Sequence, residues 1–475
     1  MNFFDAENLC KVCAGTWLHK PNSLLNVNGV GIDTRQDLTG KVFIAIKGEQ
    51  HDGHDHLQDA LDAHASMIIV QREVEPEIKT AQAGIVKVDN TRIALMQLAT
   101  AYRLLLTKTM VVAITGSSGK TTTKRIIDSV LKIVASGTAA PKSFNNEIGV
   151  PLTILQASPD DDYLLVEIGA NNPGEIDLLG EITKPDVAVI TSIGRAHLEG
   201  FGSIENIAKE KASLLNHLQP DHMAVIIADC PILREHINKD KSVIWFGLSD
   251  DAHLRLTDYG YANNQTWFEI NKKDKFVLGL AGKHNALNAM AAIAVARKVG
   301  LTDEQINTGL AGCRPADMRM TRCDVGEITI YNDAYNANPD SMIASINTFK
   351  ELTRDNHRRV VVLGEMLELG SQTSQLHREV INALIEVDKH VEIDHALLIG
   401  DAWEESVEDL SKAWGEHRVK WTASLDDEIL AKEAARISMG DAVLLKGSRA
   451  VGVERVLQAI TQRHESFNAQ VTHQP

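Results

Sequence analysis

Along this chain, stretches that are apolar at nearly every position alternate with longer stretches of helical period. Between positions 110 and 228 the apolar runs are 110–114, 163–168, 187–193 and 223–228, with Gly or Asp at or near their ends. A strand buried on both faces shows no polar alternation, so these runs predict a parallel sheet covered by helices. A second series follows Arg314-Pro315, with runs at 328–331, 359–363, 396–399 and 441–445. Residues 285–299, closed by Gly300, have the period and length of a helix. Ahead of both series lie short β-type runs at 42–46 and 67–70 between polar turns. Asp89-Asn90-Thr91 then offers helix caps before a periodic segment ending near Leu106. No repeat of solenoid period occurs, and the one biased segment is a polar C-terminal tail.

A chain of 475 residues exceeds one ordinary core. The expected architecture is α/β in three domains: a small N-terminal α/β domain over 1–88, a central domain with a parallel sheet over 89–312, and a C-terminal Rossmann-like α/β domain over 313–475. No apolar run has the length of a membrane span, and the start Met1-Asn2-Phe3-Phe4-Asp5 lacks the basic and apolar regions of a signal peptide. The formal net charge of −16 repels phosphate backbones, which argues against nucleic acid as a partner. Small anions stay possible, because backbone N–H groups bind them locally. Five cysteines, an odd number, fit a reducing cytosol. Cys10 and Cys13 form a lone C-x-x-C that His19 does not complete as a zinc site, so they read as small apolar residues on one helix face.

The sharpest local signal is the apolar run from Val111 into Gly116-Ser117-Ser118-Gly119-Lys120-Thr121-Thr122, followed by a helical segment. A buried strand entering a glycine-rich turn at a helix start aims backbone N–H groups at phosphate oxygens. Lys120 is placed to neutralise the β- and γ-phosphates, and the Thr121 hydroxyl to reach Mg²⁺. The pattern is the short G-x-x-G-K-T, with Ile114 where a full Walker A carries glycine. Asn271-Lys272-Lys273-Asp274 matches the guanine-reading N-K-x-D, yet it lies between two alternating runs and predicts a hairpin turn instead.

With four more distant segments, this loop makes the chain resemble the Mur ligase family. Asn145-Asn146 before Gly149 is similar to the family's asparagine loop, Glu167 ends an apolar run, and His197 follows the next. Fourteen residues after His197 stands Lys211, the position at which several members carry a carbamylated lysine, with Lys209 as the alternative. Asn285 and Asn288, one helical turn apart, resemble the adenine-side motif. Arg319 follows Met318, where the family has glycine, and Asp333, Tyr335, Asn336 and Asn338 form a further family segment. Glu365, His377, Lys446 and Arg449 also follow the pattern. In the first domain, Thr34-Arg35 and Lys47-Gly48 look like UDP-sugar segments, and His51, His54 and His56 read as part of that polar loop rather than as a metal site.

The resemblance implies a cytoplasmic, monomeric, ATP-dependent ligase that makes an amide bond through an acyl phosphate. Its implied substrates are UDP-N-acetylmuramoyl tripeptide, with diaminopimelate or lysine third, and D-alanyl-D-alanine. It implies ATP on Gly116, Ser117, Ser118, Gly119, Lys120, Thr121 and Thr122 with Asn285, Asn288, Arg319 and Asp333, and a pair of Mg²⁺ ions on Thr121, Glu167, His197 and Lys211. Lys120, Glu167, His197 and Lys211 are the implied catalytic set. Thr34, Arg35, Lys47, Asn145, Asn146, Tyr335, Asn336 and Asn338 are implied on the substrates.

Overall fold

The apolar runs become the interiors of three sheets. The computed structural model describes residues 3–20, 27–76, 78, 82–218, 222–237, 242–353 and 358–472. Nearest the N-terminus are β1 (Thr16–His19), β2 (Gly29–Gly31), β3 (Lys41–Ile44), β4 (Met67–Val70) and β5 (Gly84–Lys87), in the order β1-β5-β4-β3-β2. Only β1 runs antiparallel to its neighbour there. The Thr91–Arg103 helix follows, its first N–H groups capped by the Asn90 side chain, and its buried face rests on the Gly149–Gln156 helix.

The central sheet comprises β6 (Met110–Thr115), β7 (Gly137–Ala139), β8 (Tyr163–Glu167), β9 (Val187–Ile190), β10 (Met223–Ile227), β11 (Ser242–Gly247), β12 (Leu254–Ala262), β13 (Gln265–Ile270) and β14 (Asp274–Leu278). Their order is β14-β13-β12-β11-β10-β9-β6-β8-β7. From β7 to β12 every pair is parallel; β12, β13 and β14 then pair antiparallel. The expected parallel sheet is therefore mixed at one edge. The reason lies in β13, whose burial alternates along the strand, as it does in a sheet covered on one face only. Asn271 and Lys272, both at positive φ, make its turn, so the N-K-x-D stretch is a hairpin.

The third sheet holds β15 (Thr321–Val325), β16 (Ile328–Asn332), β17 (Arg358–Gly364), β18 (His395–Ile399), β19 (Val419–Thr422) and β20 (Asp441–Lys446), ordered β15-β16-β20-β17-β18-β19 and parallel except at β15. One continuous apolar cluster runs from Leu9 through Val112 and Ile226 to Leu363 and Leu398. Among the described residues no helix is long and apolar enough to cross a membrane.

Two features of the central sheet place the site. Strand order reverses at β6, which has β8 on one side and β9 on the other. Open α/β sheets bind ligands beyond the C-terminal strand ends at such a point. Register then sets Ile114 of β6 beside Glu167 of β8, and Thr115 beside Ile190 of β9.

Candidate active site

Beyond β6 the chain turns through Gly116–Gly119 into the Lys120–Leu131 helix. Gly116 has φ +149° and a Cβ there would sit 2.0 Å from Thr191 Oγ1; Gly119 has φ +85° and its Cβ would sit 2.6 Å from Asn288 Oδ1. Only glycine fits either place. The segment after β9 supports the turn: Ser117 N–H donates to Ser192 O at 3.0 Å and Ser118 N–H to Ser192 Oγ at 2.8 Å. Lys120 folds back over the loop and donates to Gly116 O at 2.7 Å. Burial lowers its pKa and Arg319 adds to this, while Glu167 opposes it.

Glu167 ends β8 with 1% exposure. A buried carboxylate needs partners, and it has them. Thr121 Oγ1 lies 2.9 and 3.1 Å from its two oxygens, Asn145 Nδ2 donates at 3.0 Å, and Lys124 Nζ sits 3.3 Å away. Sequence reasoning missed Lys124. It lies one turn beyond Lys120 on a helix face that is otherwise buried, and a lysine there was the available signal. Its ammonium also donates to Ala140 O at 2.8 Å and to Lys142 O, which ties the Lys120–Leu131 helix to the segment carrying Asn145. Asn146 acts locally: its Oδ1 accepts from Ile148 and Gly149 N–H in an Asx turn.

The β9 flank differs. His197 adopts φ +57° at the start of the Leu198–Phe201 turn, and its Nδ1 is bonded to Glu368 of the third domain. Lys211 lies on the Ile204–Ser213 helix at 3% exposure, its Nζ 5.9 Å from the Phe201 ring centre. Burial first, and Lys120 second, push its pKa down to about 7, with Glu210 opposing. Glu210 itself accepts from Gly174 and Ile176 N–H at 2.8 Å each. Lys209 is exposed, so of the two candidate lysines only Lys211 is buried.

From the third domain, Arg319 reaches Thr121 Oγ1 at 3.3 Å and stacks over Tyr335, 4.2 Å from its ring centre. Met318 keeps the left-handed turn expected of glycine, at φ +57°. Asp333 is held by Lys446 Nζ at 2.8 Å, by Met320 N–H at 3.0 Å and by the Ser345 hydroxyl. Lys446 also donates to Asn336 O at 3.0 Å. Asn338 is occupied twice: its Oδ1 caps the Pro339–Leu352 helix at Ser341 N–H, and its Nδ2 donates to Ser118 Oγ at 2.9 Å. It braces the third domain against the Gly116–Gly119 loop. Asn285 and Asn288 are both buried and joined to each other at 3.2 Å.

These groups surround one cavity of 1410 Å³, lined by loop residues 117–122, Asn145, Asn146, Glu167, His197, Asn285, Asn288, Arg319, Asp333, Tyr335, Asn336 and Asn338. Gly116, Lys211, Thr34, Arg35 and Lys47 do not line it. Arg35 is exposed and paired with Asp33 at 2.8 Å; Lys47 O accepts from Arg92 at 2.8 Å. His54 is a buried structural residue, bonded to Asp52 at 2.6 Å and to Gln71 N–H at 3.0 Å.

Three family descriptions match successive parts of the chain: Mur ligase family, catalytic domain, over 26–103; Mur ligase middle domain over 114–296; and Mur ligase, glutamate ligase domain, over 318–449. The UDP-N-acetylmuramoyl-tripeptide--D-alanyl-D-alanine ligase of Bacillus subtilis (strain 168) is 35% identical over 462 residues, 96% of this chain and 98% of that one. The crystal structure of MurF from Acinetobacter baumannii superposes with a TM-score of 0.84 at 28% identity, covering 97% of this chain and 99% of that one. The MurF ligase from Thermotoga maritima in complex with ADP gives 0.77 at 31% identity, over 93% and 99%. The chain belongs to the Mur ligase family.

Proposed function

We propose that this chain joins D-alanyl-D-alanine to UDP-N-acetylmuramoyl tripeptide in an ATP-dependent peptide-ligase reaction. The observation that carries the reading is the Thr121 hydroxyl, which stands within hydrogen-bond reach of both Glu167 and Arg319. The phosphate loop, an acidic strand end and a cation from another domain thus meet at one atom.

In this reading the terminal carboxylate of the tripeptide attacks the γ-phosphorus of ATP and ADP departs, leaving an acyl phosphate. The amine of D-alanyl-D-alanine then attacks the acyl carbon, and the tetrahedral intermediate expels phosphate. Phosphoryl transfer needs positioning and charge stabilisation above all. Lys120 supplies a cation after leaving Gly116 O for the γ-phosphate, and Arg319 adds a second from the third domain. Asn285 and Asn288 serve the adenine side and Asp333 the ribose. Thr34, Arg35 and Lys47 hold the UDP-sugar, with Asn145, Asn146, Tyr335 and Asn336 nearer the reacting groups. Seating of the third domain excludes water from the acyl phosphate.

The donor set fits Mg²⁺. Among the described residues no three His, Cys, Asp or Glu side chains converge into a cage. Mg²⁺ is commonly held by one or two protein groups together with substrate phosphates. Thr121, Glu167 and His197 are those groups, and bound Mg²⁺ would neutralise charge on the transferring phosphoryl. Lys211, buried and turned toward its neutral form, has the reactivity to take up CO₂ as a carbamate. That change would replace its repulsion with Lys120 by attraction. The five cysteines are all free, which agrees with a cytoplasmic enzyme, and we take it to act as a monomer.

Phosphate release measured with each peptide substrate withheld in turn tests the reading. Turnover that needs both is expected; ATP hydrolysis indifferent to the amine would overturn it.

A further inference from the structure

The segment after β9 is gripped from both sides. On one side Ser192 and Gly194 carry the phosphate loop. On the other side, the third domain holds it at three points. Arg195 N–H donates to Asp340 Oδ2 and its guanidinium to Asp340 Oδ1, each at 3.0 Å, and the same guanidinium pairs with Glu379. Two residues on, His197 Nδ1 meets the Glu368 carboxylate, and Glu199 N–H donates to Glu368 O at 3.1 Å.

Glu368 stands at φ +62°, a conformation that disfavours side chains other than glycine and persists only where surroundings enforce it. Leu367 N–H on Ser448 Oγ and Met366 N–H on His377 Nε2, both at 3.0 Å, hold its turn. The enforced conformation delivers one carboxylate to one ring nitrogen. His197 lines the cavity, and its other ring nitrogen makes no hydrogen bond among the described residues. In a neutral imidazole, an acceptor at Nδ1 keeps the proton there and leaves the Nε2 lone pair available.

We propose that Glu368 is a positioning residue for the ligase reaction: carried in by the third domain, it fixes the His197 proton on Nδ1 and presents Nε2 to the cleft. The His197 flank is then finished only when the third domain is seated. This rests on the ligase reading above.

Two variants separate the carboxylate from the backbone around it. Glu368→Gly suits the positive φ and keeps the carbonyl that accepts from Glu199, deleting the carboxylate alone. Glu368→Gln keeps an acceptor oxygen. The first readout is the ring-nitrogen NMR spectrum of ¹⁵N-histidine-labelled full-length protein without substrates, with His197 assigned from a His197→Asn spectrum. We expect the Nδ1–H tautomer in the parent and in Glu368→Gln, and its loss in Glu368→Gly. The second is steady-state phosphate release: Glu368→Gly lowers kcat about tenfold or more with KM for ATP near the parent value, and Glu368→Gln recovers most of the loss. An unchanged tautomer in Glu368→Gly overturns the proposal, as does an equal loss of kcat in both variants. The ring spectrum is independent of substrate identity, so a parent enzyme that ignores D-alanyl-D-alanine would defeat the functional reading and leave this test standing.

Discussion

On the β8 flank of the cleft, Thr121, Asn145 and Lys124 converge on Glu167 from within one domain, whereas on the β9 flank His197 is met by Glu368 of another. The first cluster is closed: each Glu167 oxygen has a partner, and the carboxylate is almost wholly out of solvent. The second leaves one ring nitrogen unengaged among the described residues, and its buried lysine, Lys211, does not line the cavity. The difference teaches where each half of the centre gets its geometry. One half is assembled when the central sheet folds; the other waits for a neighbouring domain. An enzyme that admits large substrates before excluding water would gain from this division, since on the proposed reading the second half alone is remade in each cycle.

Two lysines a turn apart sharpen the contrast. Lys120→Ala removes the cation proposed for the γ-phosphate, and kcat should fall about 10³-fold with folding unchanged, by the scale of such charge-stabilising groups. Near-parent phosphate release would take Lys120 out of the mechanism. Lys124→Met should instead cost stability, about 3 kcal/mol in urea unfolding, because it leaves the buried Glu167 without its cation. Lys120→Met should cost little on the same measure, since among the described residues its ammonium donates one hydrogen bond, to Gly116 O, and none to Glu167. Equal losses from the two methionine variants would erase the distinction between a mobile cation and a fixed brace.

The smallest effect concerns the β9 flank. Lys211 has its pKa pushed down to about 7. Below that pH the ammonium keeps its proton and cannot attack CO₂; above it the neutral amine is in excess. Activity should therefore drop a few-fold in CO₂-free buffer, recover with bicarbonate, and depend on bicarbonate more strongly at about pH 8 than at about pH 6. The exposed Lys209→Ala variant should show the same dependence as the parent. A response flat in both CO₂ and pH would remove the carbamate.

Much of this was legible in the chain. Continuous apolar runs marked β6, β8, β9 and β10 because a strand covered on both faces leaves no position for a polar side chain. Gly116, Gly119 and Lys120 marked the loop because a glycine turn opening a helix is a matter of local backbone geometry. Glu167 stood out as a carboxylate at the end of an apolar run, a placement that demands partners wherever the strand lies. Lys124 did not stand out, since its meaning depends on which strand lies against that helix face. Glu368 and Arg195 were equally silent.

By itself, then, the order of residues marked the long apolar strands, the glycine turn at Gly116–Gly119 and the hairpin at Asn271, each legible in the side-chain pattern of one short stretch. The folded arrangement alone decided that Thr121 meets Arg319 across 198 positions, that Glu368 caps His197 across 171, and that Asn338 braces a loop 220 positions away. Contacts at such separations follow from sheet order and domain docking, which are set by the summed burial of whole elements and leave no signature in any short stretch of chain.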